Sequence, residues 1–138
     1  AWGERWTQRV HILGWLDHPS MLRLLQCSAC HLALSYPYTL SWSVLEAMAC
    51  AAPLISNPGS PIAPELEHNR NGLLVPFNDA EALSQAILQL LGDHQLRMRL
   101  GQAGRATIRE RFHRPTTLRQ FDQLFQRLMN ARSPLANA

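Results

Sequence analysis

Four short apolar runs, at residues 10–13, 31–35, 54–56 and 73–75, alternate with segments of helical periodicity. No other feature limits the fold of this chain as tightly. Crossovers of that length do not close tight antiparallel hairpins; they join parallel strands and lay their helices on the sheet. The order βαβαβ(α)β therefore predicts an α/β domain, a Rossmann-like parallel sheet with helices on both faces. Four strands make a thin sheet, and the chain starts at Ala1 rather than Met. The expectation is a domain truncated at its N-terminus, with the first strands of the sheet upstream.

The helices are placed by period and by their end signals. Residues 19–27 carry Met21, Leu22, Leu24 and Leu25 on a helical period, with Asp17 or His18 near the start. Ser43 with Glu46 three residues later reads as a capping box, opening a helix that passes Cys50 and stops near Pro53. Asn78 with Glu81 reads the same way and opens a helix that turns Leu83, Ile87, Leu90 and Leu91 inward and ends at Gly92. A short turn is expected at 64–66. Two more helices are expected, at 94–112 with an interruption near Gly101 and Gly104, and at 116–129. The last carries Leu118, Phe121, Phe125 and Leu128 on one stripe, and residues 130–138 read as a disordered tail.

Charge narrows the chemistry. All 13 basic residues are Arg, so a Schiff-base or P-loop lysine is excluded from this chain. Nine of them fall after residue 93, which gives residues 94–138 a formal charge of +7 against −4 for residues 1–93. Such a third is either a solvated helical face or a surface that meets phosphate, anionic lipid or an acidic partner. Aromatics are not interleaved with the arginines, so nucleic acid is not expected. No run approaches the roughly 20 apolar residues of a membrane span. Three Cys are too few for a disulfide scaffold. The expected location is cytoplasmic, with peripheral contact at the inner face of a membrane open to the basic third.

Cys27-Ser28-Ala29-Cys30-His31 reproduces the C-x-x-C-H spacing, in which two thioethers hold a haem and the histidine ligates iron. The surroundings point elsewhere. The motif lies where a helix gives way to a strand, and an export signal is not expected. Cys27 and Cys30 as small hydrophobes packing a helix end is the competing reading. No second ligand pair suggests zinc, and no metal is expected.

Parallel sheets of this kind bind ligands beyond the carboxyl ends of their strands, here residues 14–17, 35–41 and 57–61. Ser41-Trp42-Ser43-Val44-Leu45-Glu46 starts a helix at such an end. Its exposed N–H groups and dipole favour phosphate, while a carboxylate beside them accepts hydrogen bonds from sugar hydroxyls. One helix start can thus hold a nucleotide by ribose and pyrophosphate together. Alternatively, Glu46 merely completes a capping box with Ser43.

Leu45-Glu46-Ala47-Met48-Ala49-Cys50, Pro53-Leu54-Ile55-Ser56-Asn57 and Asn71-Gly72-Leu73-Leu74-Val75-Pro76, followed by Asp79 and Leu83, resemble the carboxy-terminal half of the group 1, or family-four, glycosyltransferases. These are retaining, nucleotide-sugar-dependent enzymes of the GT-B fold. The resemblance runs from Arg9 to about Met129. It implies that residues 1–129 are an incomplete donor-binding domain. The implied substrate is a nucleoside-diphosphate sugar, with no separate cofactor and an unknown acceptor.

By that resemblance Glu46 matches the second glutamate of the E-x7-E motif, which holds the donor ribose. Tyr38 stands where the first glutamate belongs, beside the transferred sugar and the reaction centre. Ser41 and Trp42 fall where backbone amides meet the donor pyrophosphate, with Ser43 and Leu45 in the same segment. Gly14 and Trp15 fall at the loop that borders the nucleobase, where Trp15 either stacks on the base or packs. Ser41 and Ala51 each replace a usual Gly. Gly59, Ser60 and Glu65 look like a lengthened Gly-Gly-x-Pro-Glu loop.

The family's phosphate-binding Arg and Lys, its acceptor site and its catalytic histidine lie in segments upstream of this one. The implied partner is an amino-terminal acceptor domain. The chain alone is expected to bind donor weakly and not to turn over. The family's last helix crosses back to that domain; here Phe121, Phe125 and Leu128 are expected either to pack on their own sheet or to drive self-association. Because Tyr38 is not a carboxylate, a non-catalytic nucleotide-sugar binding module is the alternative function, and a c-type haem protein is the remote one.

Overall fold

Three of the four expected strands pair in the computed structural model, which describes residues 9–131. They are β1 (His31–Ala33), β2 (Leu54–Ser56) and β3 (Leu73–Leu74), parallel and in the order β1-β2-β3. Around them run α1 (His18–Cys27), α2 (Trp42–Ala49), a 3-10 turn (Ala63–Glu65), α3 (Ala80–Gly92), α4 (His94–Arg111) and α5 (Arg114–Ala131).

The period of two along a strand sorts the core. Leu54 and Leu74 face α2, where they meet Val44, Met48, Ile62 and Leu66. Ile55 and Leu73, opposite one another in register, face the other way onto Ala86, Leu90, Leu96 and Leu100 of α3 and α4. Helices therefore cover both faces, as the alternation predicts. α1 lies outside α2, joined to it by Leu25, Ala47 and Ala52.

Residues 10–13 are a correction. They form no ladder, and Val10, Ile12 and Leu13 stand exposed. A strand is stabilised by the strand beside it, and no described segment pairs with this one. β1 is also shorter than expected. Beyond Ala33 the Asn57 side chain replaces the ladder: Ser35 N–H donates to its Oδ1 at 2.9 Å and its Nδ2 donates to Ser35 O at 3.1 Å.

Both expected capping boxes are displaced. α2 begins at Trp42 with Ser41 as its N-cap, so Glu46 lies in the second turn and caps nothing. α3 is capped by Asp79, whose Oδ1 accepts from Ala82 N–H at 2.9 Å, while Asn78 sits at φ 67°. Asp17 and Asp93 cap α1 and α4 in the same way. α4 runs unbroken through Gly101 and Gly104. These glycines allow close approach: a Cβ on Gly104 would stand 3.2 Å from Asn71 O.

α5 continues through Ala131, so residues 130 and 131 close a helix rather than open a tail; residues 132–138 lie outside the described residues. No α5 residue is buried, and Leu118, Phe121, Phe125 and Leu128 are exposed. The stripe does not pack on its own sheet. Among the described residues no helix is long and apolar enough to cross a membrane.

Candidate functional site

A cleft of about 490 Å³ opens beyond the carboxyl ends of β1 and β2, where parallel sheets place their ligands. Tyr38, Ser41, Trp42 and Ser43 line one side, and Ser60 and Ile62 the other. The floor is built from buried polar groups that satisfy each other. Ser56 Oγ donates to Ala33 O at 2.8 Å and lies 2.7 Å from Ser60 Oγ. With the Asn57–Ser35 pair, these bonds tie the loop after β1 to the loop after β2.

The start of α2 forms the mouth. No side chain caps it, and the Ser41 and Ser43 hydroxyls bond to each other across it at 2.8 Å. The first-turn N–H groups are left for an anion, with the helix dipole adding to their pull. Tyr38 is 87% exposed and Trp42 80%, so both rings stand at the edge of the cleft without packing into the core. Leu45 packs with the Val44–Met48 cluster, which leaves only its backbone to serve a ligand. None of the residues lining the cleft is a carboxylate.

Glu46 sits on the next turn of α2, outside that lining. Its Oε1 lies 2.8 Å from His18 Nε2, across the gap between α2 and the start of α1. The Glu46 side chain is 28% exposed, half-sheltered but reachable. Gly14, at φ 62°, and Trp15 lie on the segment that enters α1. The Trp15 indole is fully exposed, at 101%, and packs on none of the described residues. Tyr38, Ser41, Trp42 and Ser43, grouped by the sequence, line this one cleft. Sequence reasoning missed His18 as a partner of Glu46 and Asn57 as the loop tie, because nothing in local spacing signals a contact across 28 or 22 residues.

A second hollow, about 600 Å³, lies between the 3-10 turn and α4. Most of its polar groups bond to one another: Glu65 pairs with Arg111 at 2.9 Å, Arg70 with Glu67, and Asn71 bonds Glu67 N–H, Glu65 O and Thr107 Oγ1. Glu65 thus braces the turn against α4, while Ser60 of the same loop reaches the cleft.

The C-x-x-C-H residues sit at the end of α1 and the start of β1. Cys27 is exposed, and His31 N–H donates to Pro53 O at 2.8 Å. Burial lowers the His31 pKa and raises those of the Cys30 and Cys50 thiols, so neither thiol is activated as a thiolate. Among the described residues no group of three or more His, Cys, Asp or Glu side chains is placed to hold a metal ion.

Similarity to known proteins bears on the same region. The chain is 29% identical over 117 residues to N-acetyl-alpha-D-glucosaminyl L-malate synthase of Bacillus anthracis, covering 85% of this chain and 30% of that protein. Among solved structures it resembles sucrose-phosphate synthase from Thermosynechococcus elongatus, with TM-score 0.80 and 29% identity over 90% of this chain and 31% of that one. The Anabaena protein HepE, solved in complex with UDP, superposes with TM-score 0.74 at 24% identity, over 87% of this chain and 33% of its own, and shows the shared fold. The chain spans about a third of the length of each. Residues 2–93 match the model of the glycosyl transferases group 1, and the chain belongs to that family.

Proposed function

We propose that this chain is the donor-binding part, residues 1–129, of a retaining glycosyltransferase that moves a sugar from a nucleoside diphosphate to an acceptor. The observation that carries the reading is the pairing of an uncapped α2 start, at the mouth of the cleft, with Glu46 one turn further on. The amides suit a diphosphate, and the carboxylate suits the ribose hydroxyls. Trp15 offers an exposed ring for the base, and Tyr38 stands at the sugar end. The transition state is oxocarbenium-like, and this half contributes leaving-group stabilisation and positioning, with no cofactor of its own. The acceptor site belongs to a preceding domain, so the isolated chain binds donor weakly and does not turn over. The reading places the enzyme in the cytoplasm, with its Arg-rich third available to the inner face of a membrane.

The test is a titration of the full-length protein with UDP-, GDP- and ADP-sugars, beside Glu46→Ala. One nucleotide series binds the native protein, and the variant weakens it by about tenfold, the loss of a charge-assisted hydrogen-bond pair. Absence of binding by all three series overturns the reading. Anomeric configuration of the product by NMR tests retention. A non-catalytic binding module is the second reading, favoured by the lack of any carboxylate lining the cleft; it predicts donor binding without transfer by the full-length protein.

A further inference from the structure

The Glu46 carboxylate does not stand alone. His18 Nε2 lies 2.8 Å from its Oε1, and the two residues come from different helices, 28 positions apart. We propose that His18 is a positioning residue: it fixes one oxygen of Glu46 so that the other is presented, already oriented, to the ribose hydroxyls of the donor nucleotide. The inference rests on the donor-site reading of Glu46 and adds to it the group that sets the carboxylate's geometry.

His18 is itself held in place. It is the first residue of α1, between the cap Asp17, whose Oδ1 accepts from Ser20 N–H at 2.7 Å, and Pro19, whose ring fixes the first turn. α1 is in turn packed on α2 through Leu25, Ala47 and Ala52. The donor nitrogen and the carboxylate therefore ride on one rigid pair of helices.

A free glutamate samples several rotamers and loses that freedom when it binds a ligand. A glutamate already bonded through Oε1 has lost part of it beforehand, which is how preorganisation raises affinity. Only a nitrogen bearing a proton at Nε2 can do this, since the carboxylate accepts and does not donate. Both the neutral Nε2–H tautomer and the imidazolium meet that need, so the role requires a donor rather than a charge. Glutamine places an amide nitrogen near the same point, whereas phenylalanine keeps the ring and removes the donor.

The readout is ribose discrimination: the dissociation constant of the 2′-deoxy nucleoside diphosphate divided by that of the ribo form, for UDP, GDP and ADP on the full-length protein. Glu46→Ala brings the ratio to about one. His18→Ala and His18→Phe lower it roughly fivefold while the 2′-deoxy constants stay where they were, and His18→Gln restores most of the loss. A role confined to joining α1 to α2 would lower the melting temperature and weaken both forms equally. An unchanged ratio in His18→Ala, or no rescue by glutamine, overturns the proposal and leaves the Glu46 reading intact. If Glu46→Ala keeps the native ratio, or no ribonucleotide binds, the Glu46 reading falls and His18 falls with it.

Discussion

The carbonyl of Ala51 fills the space that a side chain on Gly101 would need. A Cβ built there overlaps the Ala51 oxygen and stands 3.0 Å from its carbonyl carbon. The end of α2 and the middle of α4 thus meet backbone to backbone. Helix propensity alone favours alanine over glycine by about 1 kcal/mol. The clash opposes that and is larger, so Gly101→Ala destabilises by about 3 kcal/mol. Urea unfolding measures the difference. A variant as stable as the native chain would show that α4 moves aside freely.

Ala51 has a second consequence. Its φ is 61°, the left-handed region, where a Cβ crowds the backbone at a cost of roughly 1–2 kcal/mol. Glycine removes that crowding but adds freedom to the unfolded chain, a loss of about 0.5–1 kcal/mol. The two nearly cancel, with strain ahead. Ala51→Gly is therefore expected to raise stability by about 0.5 kcal/mol, visible as a higher urea midpoint at unchanged slope. A lower midpoint would mean that the turn holds Ala51 without strain.

His31 makes stability depend on pH. Burial lowers its pKa from 6.5 in the folded chain. Below the unfolded value the unfolded chain therefore binds more protons, and stability falls. The contribution is present in full above pH 6.5 and is lost as pH drops from there through the lowered value. Melting temperatures from pH 8 to 5, compared between the native chain and His31→Gln, isolate this group from the other histidines. The native curve should drop more steeply on the acid side; parallel curves would refute the assignment.

What the sequence made legible was whatever local chemistry decides. β2 is found at 54–56 and α3 ends at Gly92, because an apolar run after Pro53 and a terminal glycine leave little choice. The caps slipped by one or two residues, because Ser41 and Ser43, or Asn78 and Asp79, are similar cap residues close in sequence and only the backbone selects the position, at α2 without any side-chain cap bond. Gly101 read as a helix break, since propensity sees its missing Cβ and not the Ala51 carbonyl opposite. The 10–13 run has the composition of a strand but no described partner. In the site, the α2 start was legible from its motif, whereas the His18–Glu46 contact exists only through the packing of α1 on α2.

Tyr38 bears on whether the cleft performs transfer. It is exposed at the edge of a cleft without lining carboxylates, and in the proposed donor site it takes the place of a glutamate. A phenol can hold a sugar or phosphate oxygen by a hydrogen bond, but it is not a carboxylate and does not bring a carboxylate's charge to an oxocarbenium-like centre. Tyr38→Glu is therefore expected to raise the turnover of the full-length enzyme by about tenfold, the scale of a modest electrostatic contribution. Nucleoside-diphosphate affinity should change by less than about twofold, because the α2 amides and Glu46 are untouched. Separate kcat and KM values decide the matter. A fall in kcat with an unchanged nucleotide constant would mean that the Tyr38 hydroxyl itself holds the sugar, and that this cleft has settled on a different set of contacts around the same helix start.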